Sequence, residues 1–142
     1  MKSVTAQYVK NRTFIAKGKS NHWVAFDTGE QAGGGDAASA PMEAVLMALA
    51  TCSGLDVIVI LEKRRVQLED LRIEVTGERA DTHPKVFTNI HTKYIFTSPD
   101  LKEKDAEKAI NLSHDKYCSV SAMLESTAEI TSEYEIVRPD ED

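Results

Sequence analysis

The stretch that decides the fold is PMEAVLMALATCSGLDVIVILEKRR, Pro41 to Arg65. Between Glu43 and Asp56 it runs through about a dozen uncharged residues, short of the about 20 that a membrane-spanning helix needs, and Asp56 then interrupts it. Pro41 stands at a favourable first helical position. Apolar residues occupy nearly every face up to Glu62, the pattern of a helix buried all round in a protein core. Glu62-Lys63-Arg64-Arg65 returns the chain to water, with cations where the negative end of the helix dipole favours them. One sheet face cannot cover such a helix. A second copy of the chain, in a symmetric dimer, is expected over what the sheet leaves open.

The flanking sequence supplies that sheet. Upstream, SVTAQYV, RTFIAK and HWVAFD read as short strands separated by the turn-like KN and KGKSN, with Trp23 packed as a strand aromatic. DTGEQAGGGDAASA follows, a Gly/Ala-rich segment with little to pack, read as a mobile loop. No Gly-Lys-Ser/Thr follows its three glycines, so a phosphate-cradling loop is not supported. Downstream, LRIEVTGE alternates Leu71, Ile73 and Val75 against polar residues. FTNIHTKYIFT sets Ile90, Thr92, Tyr94 and Phe96 opposite His91, Lys93 and Ile95. The two are expected to pair through RADTHPK. Ser98, Pro99, Asp100 and Glu103 predict a helix start, and Leu101, Ala106, Ala109, Ile110 and Ser113 form one buried stripe after it. TAEITSEYEIV closes the pattern as a strand with Ile130, Tyr134 and Ile136 on one face. Strands, long helix, strands, helix and strand make an α+β order rather than alternating βαβ units.

The chain of 142 residues suits one domain with its own core: strands and Gly-rich loop over 1–40, a helix-strand-helix-strand body over 41–142, and an acidic tail over 138–142. A net charge of -6 argues against a nucleic-acid partner. The segment MKSVTAQYVKNRTF lacks the apolar core and cleavage site of a signal peptide, so a cytoplasmic protein without a membrane partner is expected. In that compartment its two cysteines, Cys52 and Cys118, are expected to be reduced or redox-active rather than a structural disulfide. His83, His91 and His114 are too widely spaced for a zinc site, and neither a metal nor an organic cofactor is expected.

Cys52 lies four residues before Asp56, on the same helix face. It reads either as a small packed hydrophobe or as a reactive thiol. Cys118, in DKYCSVSAML, falls where one helix ends and another turn can begin, and unpaired N–H groups there favour thiolate. Packing at a helix end is the other reading of it. Two such thiols permit a peroxidatic and resolving pair without establishing one.

Three blocks in this order, PMEAVLMALATCSGLDVIVILEKRR, THPKVFTNIHTKYIFTS and DKYCSVSAML, resemble the OsmC/Ohr family. The Pro-Met-Glu opening and the KYCSVSAML segment are most similar to its YhfA-like branch. The resemblance runs from about Pro41 onward. It implies an intertwined homodimer with antiparallel sheets wrapped around long central helices. It also implies thiol-dependent reduction of organic hydroperoxides, an oxidative-stress defence, with Cys52 peroxidatic, Cys118 resolving and an external thiol as reductant. Its peroxidase members add an arginine and a glutamate that directly follows the helix-opening proline. Here that position is Met42 and the glutamate is Glu43, one residue later. On a helix, position 42 lies about 80° from Cys52 and Glu43 about 180°. Glu43 is therefore either a catalytic carboxylate serving a partner's site or a first-turn acid capping its own helix. Arg12 is the only arginine of the N-terminal strands and has no matching motif around it. A non-catalytic dimer binding a small apolar ligand, or a thiol redox sensor, remains the alternative.

Overall fold

A computed structural model describes residues 1–139; the end of the expected acidic tail, 140–142, lies outside the described residues. The chain forms two compact units, Met1–Val45 and the remainder from Leu46 onward.

The first unit is an antiparallel meander in the order β1-β2-β3, comprising β1 (Val4–Lys10), β2 (Thr13–Gly18) and β3 (Val24–Phe26). Both expected turns carry an asparagine in the left-handed region, Asn11 at φ 53° and Asn21 at φ 63°, where that side chain is tolerated. Trp23 does not pack as expected: it is 50% exposed, and Lys17 Nζ sits 4.7 Å from its ring centroid. A cation over the ring face replaces burial.

The Gly-rich segment after β3 is built, not slack. Buried Asp27 organises it, Oδ1 accepting the Thr28 N–H at 2.7 Å and Oδ2 those of Gly35 and Ala37 at 3.2 and 3.1 Å. Those backbone N–H groups hold the Asp27 carboxyl below its usual pKa, against a smaller opposing effect of burial. Gly34 is obligatory because a Cβ there would stand 2.0 Å from the Thr28 carbonyl oxygen.

Helix α1 (Pro41–Lys63) begins in the first unit and continues in the second. Its 23 residues, with a mean hydropathy of 2.3 over an 18-residue window, are long and apolar enough to cross a membrane, contrary to the expectation from its uncharged core. Here it serves as a core helix of its own chain. Leu49, Ser53, Val57 and Leu61, one row at i, i+4 spacing, are buried, and Val57 and Leu61 join Tyr94, Phe96, Leu101, Ala106, Ala109 and Ile110 in one apolar cluster. Burial is one-sided, not all-round: Met47, Leu55 and Val59 are about half exposed or more within the single chain. The helix ends in a Schellman arrangement, with Val66 N–H on the Leu61 carbonyl and Arg65 N–H on that of Glu62. Arg65 occupies the left-handed position, at φ 59°, that glycine usually takes.

The second sheet has the order β4-β5-β6, from β4 (Asp70–Arg79), β5 (Phe87–Thr97) and β6 (Glu129–Val137). β4 and β5 pair antiparallel, as expected. β6 pairs parallel with β5, which the strand patterns do not reveal, since alternation marks a strand and not its direction. A parallel neighbour requires a crossover. It is made by α2 (Glu103–Leu112), a π-helical turn (Ser113–Tyr117) and α3 (Ser119–Leu124). The fold class is α+β. One sheet face carries Tyr94, Phe96, Leu71, Ile73, Tyr134 and Ile136 into the core. The other carries exposed pairs such as Lys93 with Glu133 and Glu135.

The helix after Ser98 starts later than its sequence suggests. Ser98 Oγ accepts the N–H groups of Asp100 and Leu101 and donates to the Gln67 carbonyl at 2.6 Å, closing a turn. Lys102 is still extended, and α2 begins at Glu103.

Arg65→Gly is expected to stabilise the chain by up to about 1 kcal/mol in urea unfolding, by relieving a left-handed side chain. The lowered Asp27 pKa means its stabilisation is complete above the ordinary carboxylate range and lost as pH falls through the lowered value. Exchange of the Gly35 and Ala37 amides, corrected for intrinsic rate, should therefore accelerate only in acid. Asp27→Asn should abolish that pH dependence.

Candidate functional site

The two cysteines meet inside the second unit. The Sγ atoms of Cys52 and Cys118 and one carboxylate oxygen of Asp56 lie within 4.8 Å of one another. Both thiols are free. Cys52 and Asp56 come from successive turns of α1, as their spacing predicts.

Cys118 is delivered by the π turn. The Cys118 N–H donates to the Ser113 carbonyl at 2.7 Å, the i to i+5 bond that closes the turn. That bond leaves Cys118 extended at the N-cap of α3, where its sulfur accepts the Ser121 N–H at 3.4 Å. Ser121 Oγ donates in turn to the Cys118 carbonyl at 3.1 Å.

A hydrogen-bonded relay lies behind the thiols. The hydroxyls of Ser53 and Tyr94 are 2.6 Å apart. Ser113 Oγ stands 3.0 Å from both Ser53 Oγ and Asp56 Oδ2. Ser53, Ser113 and Tyr94 are all buried, and no buried side-chain N or O among the described residues lacks a partner. The relay ties β5, α1 and the π turn together. Burial pushes the Tyr94 hydroxyl pKa up, so it remains a protonated donor or acceptor near neutrality.

Cys118 departs from the thiolate expected at a helix N-terminus. It is 2% exposed, and burial pushes its pKa above the usual thiol value. The Ser121 N–H and hydroxyl pull it down and the neighbouring Cys52 pushes it up, but burial is the largest effect. A helix of six residues cannot offset it. Cys52 is half-buried.

Asp56 also lines a pocket of about 330 Å³ with Val59, Ile60, Leu112 and Tyr117, and with Lys63 and Lys108 among its cations. Asp56 is the member of the cluster that lines this pocket, whose wall is apolar with a basic margin.

The remaining expected residues stand elsewhere. Glu43 is exposed in the first turn of α1, on the far side of the helix from Cys52 by helical geometry. Arg12 lies at the β1–β2 turn, where its guanidinium packs against Gly33 and it lines a second pocket with Phe14, Phe26 and Pro41. His91 bonds Thr131 Oγ1 at 2.7 Å and faces Glu133, and His114 faces Glu125.

The sequence singles out Cys52, Cys118 and Glu43 and sets Asp56 on the face of Cys52, but it does not reveal the relay. Ser113 appeared only as part of a buried stripe and Tyr94 only as an inward strand residue. Ser53, beside a cysteine and surrounded by apolar residues, was the available signal.

Comparison with known proteins gives this arrangement a context. The OsmC-like protein family matches residues 33–133. Protein YhfA of Escherichia coli K12 is 40% identical over 131 residues, covering 92% of this chain and 95% of the relative. A solved structure of a hypothetical protein from Aquifex aeolicus VF5 is similar over 99% of this chain and 98% of its own, with 31% identity and a TM-score of 0.87. An organic hydroperoxide resistance protein OsmC from Legionella pneumophila shares the fold at a TM-score of 0.71 with 15% identity, over 95% of this chain and 96% of that one. On the family match and the extended identity together, the chain belongs to the OsmC-like family.

Proposed function

We propose that this protein reduces organic hydroperoxides with Cys52 as the peroxidatic thiol and Cys118 as the resolving thiol. The observation that carries the reading is the approach to within 4.8 Å of the two sulfurs, one from α1 and one from the N-cap of α3. The hydroperoxide resistance activity named for the Legionella relative agrees with it.

The chemistry balances with the residues present. The Cys52 thiolate attacks the outer peroxide oxygen, the O–O bond breaks, and the alcohol leaves after taking up a proton. Cys52 becomes a sulfenic acid. The Cys118 thiol then attacks the Cys52 sulfur, forming the S–S bond and releasing water. An external dithiol reduces the disulfide by exchange and is itself oxidised.

The asymmetry between the thiols suits these roles. A buried Cys118 held protonated is a poor first nucleophile and a well-placed second one. The pocket beside Asp56 offers apolar wall for the organic part of a peroxide. Glu43 enters as the first-turn acid of α1 or as a carboxylate serving a second copy. The half-exposed apolar side of α1 at Met47, Leu55 and Val59 supports a homodimer. A single-domain protein acting in the cytoplasm, without nucleic acid or membrane, completes the reading. The same pocket would favour binding of a small apolar ligand if the thiols were inert.

One equivalent of cumene hydroperoxide added to the reduced chain should give a Cys52–Cys118 disulfide, read by non-reducing peptide mass spectrometry. Cys52→Ser should reduce peroxide consumption to background. Cys118→Ser should stop after one turnover with a dimedone-reactive Cys52. Unmodified thiols after that exposure would sink the peroxidase reading. Independently, iodoacetamide at pH 7 should label Cys52 well before Cys118. The Cys118 rate should keep rising above the ordinary thiol pKa of about 8.5, because a raised pKa leaves little thiolate at neutrality.

A further inference from the structure

We propose that Cys52, Cys118 and Asp56 form a binding site for a thiophilic divalent cation of the zinc type, with one coordination position left open. The site uses the same thiols as the peroxide chemistry, but its formation does not depend on that chemistry.

Geometry comes first. A tetrahedral zinc with bonds of about 2.3 Å to sulfur and 2.0–2.2 Å to oxygen sets its donor atoms about 3.5–3.8 Å apart. The three donors already lie within 4.8 Å of one another, so closure on an ion needs movements of about an ångström. Two of them, Cys52 and Asp56, are at i and i+4 on one helix, a spacing that lets a helix face supply two ligands to one ion. The third comes from a backbone position fixed by the π turn and the α3 cap.

Electrostatics favours the same conclusion. Two thiolates and a carboxylate held this close would repel one another. Among the described residues, no lysine, arginine or histidine forms an ion pair with Asp56; the nearby Arg64 is taken by Asp105. A divalent cation converts that repulsion into attraction and leaves a net charge of about −1 at the site.

The outer contacts resemble those of a built metal site. Ser113, fully buried, holds Asp56 Oδ2 at 3.0 Å and is itself hydrogen-bonded to Ser53. Such hydroxyls orient a ligating carboxylate and tune its basicity. Asp56 lines the 330 Å³ pocket, which gives the ion a route from solvent and leaves room for a water at the fourth position. Two sulfur donors select zinc, cobalt or cadmium over magnesium or calcium. Three protein ligands with an open position are the pattern of reactive rather than purely structural zinc.

The test titrates Co²⁺ into the full chain kept reduced with a phosphine. The expected result is a near-ultraviolet thiolate-to-cobalt band and visible bands of tetrahedral intensity, saturating at one ion per chain. Asp56→Asn should weaken binding by about tenfold or more. Cys118→Ser should weaken it likewise, and diamide oxidation to the disulfide should abolish it. Because a variant can lose its fold, wild-type protein is also melted with and without Zn²⁺. The melting temperature should rise in the reduced chain and stay fixed in the oxidised one. Absence of the thiolate band in the reduced wild type overturns the site. Equal affinity in a folded Asp56→Asn removes the carboxylate from it and overturns the proposal as stated. No peroxide is present, so failure here leaves the two-thiol peroxidase reading standing, and an inert peroxidase can still bind the ion.

Discussion

Everything around the thiol pair depends on a chain of four polar side chains running through an apolar interior: Tyr94, Ser53, Ser113 and Asp56. Buried hydroxyls are costly unless each finds a partner, about 1–3 kcal/mol for one left unpaired. Here the strand, the long helix and the π turn each contribute a member, so their relative positions are fixed by a shared requirement. Apolar contacts alone would tolerate small slips of α1 along the sheet. The relay does not, because a one-residue shift of Ser53 would strand Tyr94 and Ser113 together.

That constraint explains why a π turn sits between α2 and α3. Continuing the α-helical pattern through Ser113 would turn Cys118 onto a different azimuth. The wider turn keeps Ser113 pointing inward and lets its carbonyl receive the Cys118 N–H. The local irregularity and the position of the reactive atom are one arrangement. The same compactness sets the thiols apart chemically, since it buries Cys118 and leaves Cys52 only half-buried.

The strands, the long helix and the buried stripe of α2 were legible because each has a period that its residues keep. The approach of Cys52 to Asp56 was legible for the same reason, being four residues on one helix. Direction and curvature were not. Nothing in TAEITSEYEIV distinguishes a parallel β6 from an antiparallel one, because alternation is the same in both. The Gly-rich loop looked slack because glycines dominate it, yet a single buried carboxylate, Asp27, gathers three of its N–H groups. Ser98 reads as a helix cap from its neighbours, but its hydroxyl is engaged by a segment distant in sequence at Gln67. Each miss came from a long-range or side-chain partner that local pattern does not encode.

The parallel pairing of β6 with β5 has a consequence for the order in which this protein comes into being. Cys52 leaves the ribosome before β4, β5 and β6, the strands that cover its helix, have been made. The strand that fills the third position of that sheet is made only after the crossover, with residues 129–137. Pairings of long sequence separation form late because their loops are costly to close. While the residues between Cys52 and Cys118 are being made, Cys52 is a single sulfur on an apolar helix whose sheet partners are still to come. The pair cannot form until Cys118, which follows β4 and β5 in the sequence, has been made.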